Sequence, residues 1–226
     1  MQIFGLEILC LILDVDGVLF DVDGYLEQNI CTAASFARLP LSQLEQYLDD
    51  IRAGRIRMKG SLSEMIQTVW PSVKDERAVQ FAQKFREEER LHPYPVSHGA
   101  LATLWHFYAH GLPMALCTSN DDESLKHRLL SGQIERHLFR VVSTIGGGIA
   151  KPDPRTVKPI FQTIPVRPDQ CLYVGDWYPD LELARRVGMH FAAVLSGFIS
   201  KEIFLREGVP EHMILARFAD VLQVVA

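Results

Sequence analysis

The sequence predicts an α/β protein: a doubly wound, Rossmann-like parallel sheet with an all-helical block inserted after its first strand. Three observations lead there. Short apolar runs recur along the chain, and continuous runs of roughly four to six such residues suit strands covered on both faces. Helical patterns separate them, the alternation that builds parallel sheets through right-handed crossovers. From about residue 21 to 91 the alternation stops and every pattern is helical.

The first apolar stretch, Met1 to Leu13, reads as a buried strand whose strongest run is Ile8–Leu13. It does not read as a secretory signal. No basic segment precedes it, Glu7 interrupts it, and Asp14 and Asp16 stand where a small-residue cleavage site would be expected. Cytoplasmic residence is the resulting expectation. Helices are then expected over Tyr25–Leu39, Leu41–Ala53, Ser61–Trp70 and Lys74–Leu91. Such a block, straight after a first strand, has the position of a cap over the strand ends. Pro93, Pro95 and Gly99 mark the return to the core. The expected division is a core of residues 1–21 and 93–226 and a helical cap of residues 22–92.

Within the core, Leu101, Leu104, Trp105 and Tyr108 recur at helical spacing before a stop at Gly111. Strands are expected at Pro113–Cys117, Arg140–Ser143, Cys171–Val174, His190–Leu195 and Met213–Leu215. Pro154 can open a helix from its first turn, where the missing N–H is harmless. Leu181, Ala184 and Val187 mark another helix, ended by Gly188.

Bulk properties narrow the function. A chain of 226 residues fits one large domain, or one with an insert, and buries roughly 70% of its unfolded surface. It therefore needs no disulfide or structural metal to hold a core. The four cysteines form no CxxC pair, and the three that sit in apolar runs read as inert thiols. A net charge of -5 lacks the basic footprint of a nucleic-acid binder. No stretch approaches the ~18 apolar residues that a membrane span needs.

In open α/β sheets ligands collect at the carboxyl ends of the strands, and chemistry-bearing residues stand at four of them. The first strand ends in Asp14-Val-Asp16-Gly17-Val-Leu19. Two acids so close repel unless a cation or a proton separates them, and a hard divalent ion fits that need. The second ends in Thr118-Ser119-Asn120, where a hydroxyl and free N–H groups can hold a phosphoryl oxygen. The third is followed by a Gly146–Gly148 run and Lys151-Pro152-Asp153-Pro154. A lysine there can neutralise a carboxylate nucleophile and a transferring phosphoryl group. The fourth runs into Gly175-Asp176-Trp177-Tyr178-Pro179-Asp180, a carboxylate pair one helical turn apart that has the look of a cation site. Each has a plainer reading as a turn, a helix cap or a surface loop.

Taken together and in this order, the four motifs resemble the haloacid dehalogenase superfamily, and the helical block resembles the cap of its phosphoglycolate phosphatase and β-phosphoglucomutase branch. The resemblance implies a Mg²⁺-dependent phosphatase that forms an aspartyl phosphate on a small phosphorylated metabolite, as monomer or homodimer. It implies Asp14 as nucleophile and metal ligand, and Asp16 as general acid/base with its main-chain carbonyl on the metal. Thr118, with Ser119 and Asn120, would orient the phosphoryl group and Lys151 would anchor it. Asp176 would ligate the metal, with Asp180 behind it or reaching it through water. Trp177 and Tyr178 depart from the small polar residues common at those places. A phosphomutase would use the same Asp14/Asp16 pair, and a non-catalytic phospho-ligand-binding protein could keep the fold.

Three further signals are weaker. His106 and His110 stand one helical turn apart, on a face expected to be solvated. Arg55, Arg57 and Lys59 form a basic cluster in the cap that could favour an anionic or sugar-phosphate substrate, although an ordinary charged loop is the plainer reading. Glu87-Glu88-Glu89 reads as a solvated helix face.

Overall fold

The computed structural model describes residues 1–22, 24–57, 62–145 and 148–226. Lys59, Ser61, Gly146 and Gly147, singled out above, lie outside the described residues.

The apolar start divides rather than forming one strand. β1 (Gln2–Ile3) and β2 (Leu6–Glu7) make an antiparallel hairpin, and only β3 (Cys10–Leu13) enters the main sheet. The reason is local: Phe4 and Gly5 both take positive φ and reverse the chain, while Gln2 and Glu7 face solvent. All four residues of β3 are buried.

Four helices follow, α1 (Tyr25–Phe36), α2 (Leu41–Arg52), α3 (Leu62–Val69) and α4 (Asp75–Leu91). Apolar side chains recur on the inner face of each, among them Ala33 and Ala34 on α1, Leu44, Leu48 and Ile51 on α2, and Phe81 on α4. Burial of a Leu or Ile side chain contributes roughly 1.5–3 kcal/mol, so these faces, not intrinsic propensity, hold the block together. α1 and α4 pack side by side.

The chain enters and leaves this block through two adjacent segments. Asp21 N–H donates to the Pro95 carbonyl at 2.9 Å and Ser97 N–H to the Leu19 carbonyl at 2.9 Å. Phe20 and Val96 are antiparallel bridge partners between them.

The core then alternates: α5 (Ala100–Ala109), β4 (Met114–Cys117), α6 (Asp122–Ser131), β5 (Val141–Ser143), α7 (Lys158–Thr163), β6 (Cys171–Gly175), α8 (Tyr178–Val187), β7 (His190–Val194), α9 (Lys201–Arg206) and β8 (Ile214–Leu215). Among the described residues the sheet has six strands in the order β5-β4-β3-β6-β7-β8, and every neighbouring pair is parallel. The order reverses between β3 and β6, which creates the crevice where ligands bind in such sheets. Pro154 opens a 3₁₀ turn, Pro154–Val157, that leads into α7. Gly111 and Gly188 take φ of 71° and 83° just past the ends of α5 and α8, as a left-handed helix stop requires.

One face was misassigned by spacing alone. On α5 the buried residues are Ala100, Thr103, Leu104 and Phe107. Trp105 and Tyr108 are about half exposed and pack edge-on against His137. Helical spacing groups Trp105 and Tyr108 with Leu101 and Leu104, but the true stripe is offset by one residue, and Phe107 fills it. His106 and His110 lie against each other, outside the carboxylate cluster described below. Cys10, Cys117 and Cys171 are buried, Cys31 is half-buried, and none is cross-linked. Among the described residues no helix is long and apolar enough to cross a membrane.

Candidate active site

β3 delivers Asp14 to the crevice. Its N–H donates to the Val174 carbonyl of β6 at 3.0 Å, so the sheet's own ladder fixes its backbone. Gly17, at φ 80°, then turns the chain, and its N–H donates to the Phe20 carbonyl at 2.8 Å. That turn separates the two acids. Asp14 points into the sheet's edge, and Asp16 reaches sideways towards α6.

Around Asp14 the charges are dense and dry. Lys151 Nζ lies 2.8 Å from Asp14 Oδ1 and 2.6 Å from Asp180 Oδ1. Asp180 is wholly buried. Its carboxylate also meets the Tyr173 hydroxyl at 3.0 Å and accepts from Trp177 N–H at 3.2 Å. Asp176, buried at the end of β6, completes a group in which Asp14, Asp176 and Asp180 offer oxygens within 4.8 Å of one another. A Cβ at Gly17 or Gly197 would collide with the Asp176 carboxylate, so both glycines make room for it.

Burial pushes the Asp14 carboxyl up to about 7, Lys151 opposes that, and Asp180 adds to it. Burial, with Asp14 and Asp180 nearby, also holds Asp176 well above the usual carboxylate range. Burial would lower Lys151, but the Asp14 and Asp180 carboxylates outweigh it and keep the ammonium protonated. Three carboxylates against one ammonium leave an uncompensated negative charge in a low-dielectric place. A hard divalent cation with oxygen ligands fits both the charge and the donor set.

The other half of the site is polar and more open. Thr118 N–H donates to the Ser143 carbonyl at 3.0 Å, and its Oγ1 accepts from Asn120 N–H at 3.1 Å. Asn120 Nδ2 donates to Asp16 Oδ2 at 3.1 Å. Arg128 Nε donates to Asp16 Oδ1 at 2.8 Å. The same guanidinium bonds Glu89 at the end of α4 and sits over the Tyr94 ring, 3.9 Å from its centroid.

One cavity of about 200 Å³ joins these groups. Asp14, Asp16, Thr118, Ser119, Asn120, Lys151 and Asp176 all line it. Asp180 does not line it, and stands behind as the partner of Lys151. The helical block closes the far side with Leu26, Ile30, Met65 and Phe85.

Three residues were missed or misread in the sequence. Arg128 is 1% exposed, although a mid-helix arginine ordinarily marks a solvated face. Its signal was positional: it shares the buried face of α6 with Leu125 and Leu129. Glu88 and Glu89 are buried, not solvated, because Lys84 pairs with the first and Arg128 with the second. The basic cap cluster faces other partners: Arg55 pairs with Asp50 at 2.6 Å and Arg57 with Glu207 at 2.6 Å.

Comparison with known proteins gives a consistent picture. A family model described as haloacid dehalogenase-like hydrolase matches residues 8–188. Haloacid dehalogenase-like hydrolase domain-containing protein 3 of Mus musculus is 31% identical over 130 residues, 57% of this chain and 51% of that protein. The chain thus spans about half the length of that relative. Phosphoglycolate phosphatase of Aquifex aeolicus is 25% identical over 219 residues, 92% of this chain and 95% of that protein. The solved structure of a hydrolase from Pseudomonas syringae superposes with a TM-score of 0.76 at 22% identity, covering 95% of this chain and 96% of that one.

Proposed function

Because this chain belongs to the haloacid dehalogenase-like hydrolases, we propose that it hydrolyses small phosphate monoesters through an aspartyl phosphate on Asp14. The observation that carries this reading is the pairing of Asp14 with the buried ammonium of Lys151, at the floor of a cavity that Asp16 also lines. A carboxylate held beside a fixed cation can face a phosphate dianion without prohibitive repulsion.

The proposed reaction has two steps. An Asp14 oxygen attacks phosphorus as the bond to the leaving oxygen breaks, and Asp16 gives that oxygen a proton. Asp16 then takes a proton from water as the water oxygen attacks phosphorus. The bond to Asp14 breaks and phosphate leaves. The Thr118 hydroxyl, itself held by the Asn120 N–H, and the Ser119 N–H orient the phosphoryl oxygens, while Lys151 offsets their charge. Asn120 and Arg128 hold the Asp16 carboxylate in place for both transfers.

The Asp14 and Asp176 carboxylates and the Asp16 main-chain carbonyl would hold Mg²⁺. When bound, it would supply charge neutralisation at the phosphoryl group. Asp180 supports Lys151 rather than the ion. Residues 22–92 act as the cap that covers the reacting groups and excludes water. The deciding experiment is phosphate release from p-nitrophenyl phosphate and a panel of phosphorylated metabolites, with and without Mg²⁺. Release that needs Mg²⁺ is the expected result. None from any substrate would remove the reading.

A further inference from the structure

The cavity's chemistry changes sharply from floor to roof, and the roof decides what is attached to the phosphate. Leu26, Ile30, Met65 and Phe85 face it from the helical block, and Trp177 and Phe198 from the core. The two core rings pack edge to face, 5.7 Å apart. Among the described lining residues Lys151 is the only cation, and Asp14 and Asp180 hold it at the floor. Glu89 also lines the cavity and is paired with the buried Arg128, and Arg52, over the Phe198 ring, is paired with Glu27. The cations of the neighbouring cleft are engaged elsewhere: Arg57 with Glu207, Arg155 with Asp153 and Arg186 with Glu182.

Resting on the phosphatase reading, we propose that the substrates of this site are phosphate monoesters whose alcohol portion is small, uncharged and apolar. A carboxylate on that portion would meet apolar walls, and among the described lining residues no unpaired cation offsets its desolvation. A sugar would bury hydroxyls against side chains that cannot bond them. An alkyl or aryl group gains instead. The cavity of about 200 Å³ must hold the phosphoryl group as well, and since an apolar cavity of roughly 150 Å³ holds a benzene ring, the remainder suits a short chain.

A homologous series separates this from intrinsic leaving-group reactivity. Ethyl, propyl, butyl and pentyl phosphate share nearly the same leaving oxygen, and each added methylene buried in the cavity should raise kcat/KM about fourfold. 2-Phosphoglycolate, close in size to propyl phosphate, should be at least about tenfold poorer than it, the loss expected when a charge goes unpaired. Leu26→Lys, at a half-exposed position on α1, should flatten the series and reverse that ratio. Phe198→Ala, outside the helical block, should flatten the series without helping 2-phosphoglycolate. A flat or falling series, or a preference for 2-phosphoglycolate or a sugar phosphate over the alkyl esters, overturns the inference and leaves the hydrolase reading standing. No phosphate release from any of them overturns both.

Discussion

Arg128 Nε donates to Asp16 Oδ1 at 2.8 Å from a side chain that is 1% exposed, and its other end bonds Glu89 on the last turn of α4. A group proposed to move protons is therefore held by a residue that also grips the helical block. Arg128→Met would strand Glu89 in a buried place, and breaking such a pair destabilises by about 3–5 kcal/mol. We expect a lower Tm and a kcat reduced at least about 100-fold, with KM changed less. Arg128→Met combined with Glu89→Gln should recover much of the Tm but not the kcat. Thermal melts and steady-state kinetics on the three variants check this. Recovery of both would make Arg128 purely structural.

Asp14→Asn should abolish phosphate release and leave the fold intact, since Asn keeps the shape and the backbone bond to Val174. Circular dichroism and single-turnover assays with enzyme in excess measure the two halves of that statement. Asp16→Asn should be nearly as severe, and mass spectrometry of quenched enzyme should show a phosphoryl adduct if water activation suffers most.

Lys151→Met should cost more than its share of phosphate affinity. Asp14 and Asp180 both depend on this ammonium, so its loss leaves carboxylates buried without a partner. We expect kcat to fall about 100- to 1,000-fold, the range typical of a lost electrostatic stabiliser. The control is Lys126→Met, a substitution beyond the reacting groups, which should leave kcat within about twofold.

How far the sequence revealed this site depends on which force places each residue. Asp14, Thr118, Lys151 and Asp176 were legible because a parallel sheet brings its strand ends together whatever the intervening loops do. For Arg128 only the position on the buried face of α6, beside Leu125 and Leu129, was legible. Its pairing with Glu89, 39 positions away in the chain, is encoded by no local pattern. The same holds for Trp105 and Tyr108: spacing gave the helix, while the offset of its buried face follows from what Phe107 meets across the core. Element boundaries in the helical block came within a few residues, since apolar periodicity is a local signal.

The pH response should show the carboxylate cluster directly. Asp14 has an ordinary value of 3.8 and a folded value of about 7; Asp176 is raised as well. A carboxyl raised by folding favours the folded state while protonated. That contribution is complete below about pH 4 and is lost as pH rises through about 7. Without divalent cations, the cluster should therefore lower Tm between pH 5 and pH 8. Mg²⁺ should raise Tm more at pH 8 than at pH 5, because it binds the ionised carboxylates. Equal shifts at both pH values would argue against the cluster as its site. Gly17→Ala should weaken the Mg²⁺ effect, because the added methyl collides with Asp176 and the position needs φ 80°.

The helical block leaves and rejoins the core through segments bonded to each other at Asp21–Pro95 and Leu19–Ser97. Such an attachment has the geometry of a plug and socket. The catalytic strand ends belong to one piece, the cavity roof mostly to the other, and the join is a short ribbon of main-chain bonds that asks little of side-chain identity. A roof with different walls could be exchanged at this ribbon as a cassette, giving the same phosphoryl chemistry a new clientele of alcohols.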